Sequence, residues 1–365
     1  MAKGLLLKNG TALIHTEDGE HVNAVQTNIL IQGNKISEIA QHISAPDAEI
    51  FDCTDKIISP GFVDTHHHVW QTQLKGRHAN HTLLQYMPSG NIVAQLYSPA
   101  DIFWGQLSGC LEMLDCGTTT VADFANLNYS AEHSVFDTPL QFTVSDGADD
   151  TIDYGAISAT ASSGIRSVFC YSTTPRLSSW DPFTIDGDVL GGHVMPTLEA
   201  LGKAAPFGEG RVTMGLAFDA LSLPKHSLAM LMSKLDELKI QLIQFHYTYR
   251  GLDVPKAIDD AGYLDGRFLV AHSCGMPKED VDLYHKHGVH LSTTPSTELQ
   301  MGVGVPPPAF TDEYDAKDLS SLGVDCHTFT SSYIPFEARL ALASARNVHG
   351  QVKIALTTRP YMHRG

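Results

Sequence analysis

The stretch Ser59-Pro60-Gly61-Phe62-Val63-Asp64-Thr65-His66-His67-His68 sends an apolar run out of a Pro-Gly turn and ends it in three histidines. Successive side chains on a strand alternate between faces, so His66 and His68 point one way and His67 the other, toward the helix layer. Two imidazoles two residues apart at a strand end supply half of a site for a divalent ion such as zinc, iron, nickel or cobalt. A purification tag would be longer and terminal, whereas this run is internal and follows a strand pattern. Three more residues able to bind metal close apolar runs of strand length: His246 after Gln241-Leu242-Ile243-Gln244-Phe245, His272 after Phe268-Leu269-Val270-Ala271, and Asp325 after Leu322-Gly323-Val324. Each alone is commonly a structural residue, and a carboxylate such as Asp325 often caps a helix or forms a salt bridge. Their recurrence at strand ends is what points to a shared site.

Other residues near these ends carry weaker signals. Trp70, Gln71 and Gln73 follow the first motif and would line a pocket from its loop, with packing beneath that loop as the alternative for Trp70. Glu298 lies in the stretch from Thr294 to Pro308, read as a long loop and pocket wall, where it is either an acid of the site or a surface carboxylate. Cys326 and His327 follow Asp325, but neighbours at a strand end point apart, which argues against a Cys-His nucleophile pair.

The elements needed to bring these residues together are legible as a change of rhythm. Residues 4 to 58 read as short strands and turns, over Leu5–Lys8, Thr11–His15, Asn28–Gln32, Lys35–Ile39 and Ile50–Asp52, with Gly33-Asn34 as a hairpin turn. From Pro60 onward strands alternate with amphipathic stretches. The expected strands are Phe62–His66, Thr119–Asp123, Ile165–Tyr171, Val212–Phe218, Gln241–His246, Phe268–His272, Val289–Ser292 and Leu322–Asp325. The clearest helices are Ala100–Asp115, Lys225–Leu238 and Lys278–His287. This is the α/β pattern of a closed (β/α)8 barrel, whose strand carboxyl ends share one mouth. An open doubly wound sheet is the alternative, but no Gly-rich phosphate loop follows a strand. Val135–Gly155 fits neither element and reads as an insertion or lid.

Composition narrows the partners. The chain has 365 residues, 43% hydrophobic and 18% charged, and a net charge of -17 with no basic block. Nucleic acid and anionic membrane surfaces are therefore not expected partners, and no run reaches the length of a membrane span. Six cysteines without CxxC spacing point to reduced thiols and a cytoplasmic location. A small molecule is the expected partner; a homo-oligomer formed through the outer helices and the small β unit is an open alternative that no pattern requires.

The stretches Pro60–Thr72, Gly117-Thr118-Thr119-Thr120-Val121-Ala122-Asp123, Val270-Ala271-His272, Glu298-Leu299-Gln300-Met301-Gly302 and Gly323-Val324-Asp325 together resemble the amidohydrolase superfamily of metal-dependent hydrolases, in particular its cytosine-deaminase-like and chlorohydrolase-like branch. The resemblance runs from about residue 4 to about residue 345, and the first motif is its most specific part. It implies a barrel over residues 60–349 and a small β-sandwich that begins with residues 1–59. The returning half of that sandwich is expected to be missing, with 350–365 a truncated tail. It also implies one divalent ion, zinc or alternatively iron, held by His66, His68, His246 and Asp325, with His272 beside it as ligand or hydrogen-bond donor. Binuclear members carry a bridging lysine at the end of strand four, and Val212–Phe218 has none. Asp325 would take a proton from metal-activated water and return it to the leaving nitrogen.

One departure bears on the reaction. Deaminases of this branch carry a glutamate three residues after the strand-five histidine, where this chain has Tyr249. A phenol of pKa near 10 does not shuttle protons as a glutamate does, which shifts the expectation from ring deamination toward hydrolysis of an amide, cyclic amide or similar C–N bond, with Trp70, Gln71 and Glu298 against the substrate. Two alternatives remain at this level: a metal-dependent decarboxylase or hydratase on the same barrel, and a truncated, inactive amidohydrolase-like chain.

Overall fold

A computed structural model describes residues 4–17, 21–127, 155–173, 177–185, 187–219, 223–247, 254–303 and 316–362. The chain divides into two units, Met1–Gly61 and Phe62–Gly365. Nearly all of the expected insertion at Val135–Gly155 lies outside the described residues.

The first unit is a five-stranded sheet of β1 (Leu5–His15), β2 (Val22–Gln32), β3 (Lys35–Ala40), β4 (Glu49–Asp52) and β5 (Ile57–Ile58). β1, β2 and β3 form an antiparallel meander, and β4 and β5 pair with β1 in parallel. The two short strands expected over Leu5–His15 are one strand, broken in register between Leu7 and Gly10. Such a bulge interrupts the apolar alternation, which is why the sequence reads as two pieces.

The second unit holds eight parallel strands: β6 (Phe62–His67), β7 (Thr118–Ala125), β8 (Arg166–Ser172), β11 (Val212–Ala217), β12 (Ile243–Tyr247), β13 (Phe268–His272), β14 (His290–Thr293) and β15 (Ser320–Leu322). They neighbour one another in chain order around a nearly closed barrel. A small hairpin, β9 (Leu177–Trp180) with β10 (Phe183–Ile185), follows β8. Phe169, Leu216, Phe245, Phe268 and Val270 are buried along these strands, the continuous apolar run expected where helices cover a parallel sheet. Besides the single turn Leu83–Tyr86, the α-helices among the described residues are α1 (Pro99–Asp115), α2 (Ala156–Ser163), α3 (Val194–Ala204), α4 (Lys225–Glu237), α5 (Val254–Asp260), α6 (Lys278–His287), α7 (Pro295–Met301) and α8 (Ile334–Met362). α4 shows why they form: Leu228, Leu231, Met232 and Leu235 are buried at the i, i+3, i+4, i+7 spacing of one helix face. α1 opens with a capping box in which Ser98 and Asp101 satisfy each other's backbone N–H groups. Its Gly109 lies flat on the loop after β6, where a Cβ would stand 2.3 Å from the Val69 carbonyl oxygen.

Two departures from the sequence reading matter for the site. The stretch after β14 is not a loop from Thr294, because Pro295–Met301 forms α7 and places Glu298 inside the protein at 4% exposure. Seven residues are too few for helical periodicity to register. The last strand ends at Leu322, and Asp325 is reached through an isolated parallel bridge to His67. α8 runs on through most of the segment expected as a tail.

The start of α8 is tied to α7 by a buried carboxylate. Glu337 Oε2 accepts from the Ser296 backbone N–H at 2.9 Å and Oε1 from the Ser296 hydroxyl. Burial pushes Glu337 up from 4.5 to about 7 against the lowering effect of those hydrogen bonds, with Asp64 and Glu298 nearby adding to the rise. Between these two values the folded protein holds a proton that the unfolded chain has released. Stability from this group is therefore present at low pH and declines as pH rises through the window, by up to about 3 kcal/mol. Glu337→Gln should flatten that slope. Urea unfolding from pH 4.5 to 7.5 checks it, and parallel curves for the two proteins would contradict the assignment.

Candidate metal centre

Four histidine rings and one carboxylate meet at the carboxyl ends of β6, β12 and β13 and just past β15. The His66 ring centroid lies 5.1 Å from His68, 4.9 Å from His246 and 5.5 Å from His272. His66, His246, His272 and Asp325 each offer one ligand atom, all within 4.8 Å of one another. Asp325 Oδ1 stands 3.2 Å from His66 Nε2 and 3.1 Å from His68 Nε2. His66, His68, His272 and Asp325 are buried, and His246 is partly exposed. Two of the five hold a left-handed backbone, His272 with φ 73° and Asp325 with φ 66°. That conformation costs non-glycine residues roughly 1–3 kcal/mol each, and such strain gathers at functional sites.

The far side of each ring decides what the near side offers. His68 Nδ1 lies 2.9 Å from the Phe124 carbonyl, which only accepts, so Nδ1 carries the hydrogen. His246 Nδ1 lies 3.0 Å from both carboxylate oxygens of Asp219, which also accepts from the His246 backbone N–H at 2.9 Å. His66 Nδ1 faces Gln244 Oε1 at 3.0 Å, with the Gln244 amide nitrogen turned to Cys170 Sγ. His272 Nδ1 is 2.9 Å from Thr294 Oγ1 and 3.8 Å from Glu298 Oε1. In neutral His66, His68 and His246 these acceptor oxygens assign the proton to Nδ1 and leave Nε2 with a bare lone pair.

The consequence is an electrostatic conflict. Two such lone pairs converge on an anionic oxygen, and His66 Nε2 is buried without a hydrogen-bond partner. A cation among them turns each repulsion into a bond. Neutral imidazoles and a carboxylate suit zinc, and also iron. Burial lowers His66 to about 3, which keeps it neutral and available as a ligand. Burial also lowers His68, but the hydrogen bond and charge of Asp325 outweigh it and raise the group. In the metal-free chain a proton therefore competes for the space a cation would take.

The remaining expected site residues divide by environment. Trp70 is fully buried in the main core, its Nε1 donating to Asn126 Oδ1 at 2.8 Å and its ring edge-on to Tyr97. Gln71 is also fully buried: its amide nitrogen donates to the Gly90 carbonyl at 2.8 Å and to the Tyr86 hydroxyl, while Oε1 has no partner. Gln73 is exposed and donates to the Asp101 carbonyl. Glu298 Oε1 accepts from the Thr294 N–H at 2.9 Å, and Oε2 is buried without a partner. His67 turns away from the cluster, with Nδ1 2.7 Å from Asp64 Oδ2 and its ring against His327. Cys326 instead faces Thr297. Tyr249 lies outside the described residues.

The amidohydrolase family pattern matches residues 57–142, the stretch that contains the histidine run. A 5-methylthioadenosine/S-adenosylhomocysteine deaminase from Thermococcus kodakarensis is 23% identical over 305 residues, covering 83% of this chain and 66% of that protein. The chain is thus similar to the amidohydrolase superfamily in sequence and in fold. It spans just under two thirds of the length of that relative. Two solved structures share this fold. Guanine deaminase from C. acetobutylicum with bound guanine has a TM-score of 0.75 at 16% identity, covering 96% of this chain and 81% of its own. Atrazine chlorohydrolase from Arthrobacter aurescens TC1 complexed with zinc has a TM-score of 0.66 at 19% identity, covering 90% and 74%.

Sequence reasoning passed over Asp219, Gln244 and Thr294, which orient the rings. Asp219 was the most accessible, a carboxylate two residues beyond the apolar run of β11. Asp219→Asn should weaken zinc binding by about 10- to 100-fold. Competition against a chromophoric chelator measures it, with far-UV circular dichroism unchanged; wild-type affinity in the variant would show that His246 is oriented by something else.

Proposed function

We propose that this chain is a mononuclear zinc-dependent hydrolase that cleaves a C–N bond in a small cyclic or aromatic molecule. The observation that carries the reading is the convergence of imidazole Nε2 lone pairs on Asp325, with no lysine at the end of β11 to bridge a second ion. The Thermococcus kodakarensis relative is named for deamination, which supports the bond class.

His66, His68, His246 and Asp325 would hold the ion, with His272 beside it. A divalent ion there supplies Lewis acidity and lowers the pKa of water to about 7. Asp325 accepts the proton of the attacking water and delivers it to the leaving nitrogen. His272, fixed from behind by Thr294, positions the reacting group. Glu298 is the candidate for the acid absent from the strand-five position: burial raises it, and Oε2 is uncommitted. A carboxyl that keeps its proton nearer neutral pH can donate to a ring or amide nitrogen. Gln71 Oε1, a buried acceptor, is suited to a substrate N–H. Among the described residues no helix is long and apolar enough to cross a membrane. All six cysteines are free, which suits a reducing compartment such as the cytoplasm.

The test is turnover by zinc-loaded protein on aminopurines, aminopyrimidines and cyclic amides, following ammonia release or ring opening. Asp325→Asn should abolish turnover. Glu298→Gln should lower kcat by about 10²- to 10⁴-fold with zinc content unchanged. Zinc-loaded wild-type protein inert toward all three classes would overturn the proposal, and a Glu298→Gln enzyme of full kcat would remove Glu298 from it.

A further inference from the structure

The barrel has one seam that is not a ladder. β15 pairs with β14 only, and the segment after it meets β6 through the isolated bridge between His67 and Asp325. Across that seam the Asp325 N–H donates to the His66 carbonyl at 2.8 Å and the His68 N–H to the Asp325 carbonyl at 3.1 Å. The two backbones touch: a Cβ on Gly323 would stand 2.7 Å from His66 O and 2.8 Å from His66 N. The residues that present lone pairs and the residue that presents the carboxylate thus sit on opposite sides of this seam.

Two neighbouring β6 side chains span it: Thr65 Oγ1 lies 2.8 Å from Ser321 Oγ and donates to the Leu322 carbonyl at 2.9 Å, and Asp64 reaches the segment that carries Asp325. β6 carries an extra residue between Asp64 and His67 relative to β7, a bulge of the kind that re-aims side chains. Asp64 is fully buried. Its Oδ1 accepts from the His66 N–H at 3.2 Å and from the Val324 N–H at 3.2 Å, and its Oδ2 pairs with His67 Nδ1 at 2.7 Å. One carboxylate oxygen therefore holds the amide of a ligand histidine and the amide next to Asp325.

We propose that Asp64 is a positioning residue for the metal centre, setting the spacing between the β6 histidines and Asp325 by clamping both backbones at the seam. It touches no substrate and acts through His66 and Asp325. Without it two buried N–H groups lose their acceptor, and the Gly323–Asp325 segment is held against β6 by fewer hydrogen bonds. Metal binding and seam closure then reinforce each other, since the ligands bridge the same gap. The proposal rests on the metal centre described above.

The experiment uses cobalt(II) as probe on the whole chain. Asp64→Ala should bind cobalt at least about tenfold more weakly than wild type, at the lower end of the effect seen when outer partners of a metal site are lost, and should alter its visible absorption bands. Asp64→Asn keeps an acceptor oxygen for the two N–H groups and should restore most of the affinity. A folded Asp64→Ala protein with wild-type affinity and spectrum would overturn the proposal. If that variant does not fold, amide hydrogen exchange on wild type decides. Slower exchange at His66 and Val324 on adding metal supports the clamp, and exchange unaffected by metal overturns it. Wild-type protein that binds no cobalt would instead defeat the metal reading itself.

Discussion

Everything in the site depends on what lies behind the histidine rings. An imidazole has two nitrogens, and a partner that can only accept claims the hydrogen of one of them. The Phe124 carbonyl and the Asp219 carboxylate do this for His68 and His246, and the Gln244 amide oxygen does it for His66. The opposite nitrogens then face inward as lone pairs, beside an aspartate oxygen, in a largely buried space. Such an arrangement is costly on its own and favourable around a cation. On the proposed reading, that cost is what favours an ion there over packed side chains.

The fold supplies the rigidity this requires. The proposed ligands come from β6, β12 and β13 and from the turn after β15, and parallel strands are held at fixed spacing by their ladders. Where a ladder is missing, between β15 and β6, close backbone contact at Gly323 and the hydrogen bonds of Asp64 and Asp325 take its place. The left-handed backbones at His272 and Asp325 are sustained by these surroundings. Glu337 extends the same logic outward, fixing the first turn of α7, the short helix that carries Glu298.

Much of this was legible in the sequence because it was written in periodicities. The eight strands and the helices Pro99–Asp115, Lys225–Glu237 and Lys278–His287 stand within a few residues of where apolar spacing puts them. The five residues of the cluster were found because each closes such a run. The orienting residues were not, because a Gln or Thr within reach of an imidazole has no local signature, and its partner is tens of residues away. α7 was too short to show a period, so Glu298 looked like a loop carboxylate although it is buried. Trp70 and Gln71 are adjacent in sequence and both buried, yet one completes the core and the other keeps an acceptor without a partner. Only three-dimensional packing separates them.

The most direct test of the central claim is X-ray absorption at the zinc edge on protein loaded with one equivalent of zinc. The zinc should show a shell of imidazole nitrogen and carboxylate oxygen at about 2.0–2.2 Å, with the multiple-scattering signature of several histidines and no second metal. Sulfur at about 2.3 Å would contradict it, placing the ion on a thiolate, and a metal neighbour at about 3.5–4 Å would replace the single-ion centre with a binuclear one.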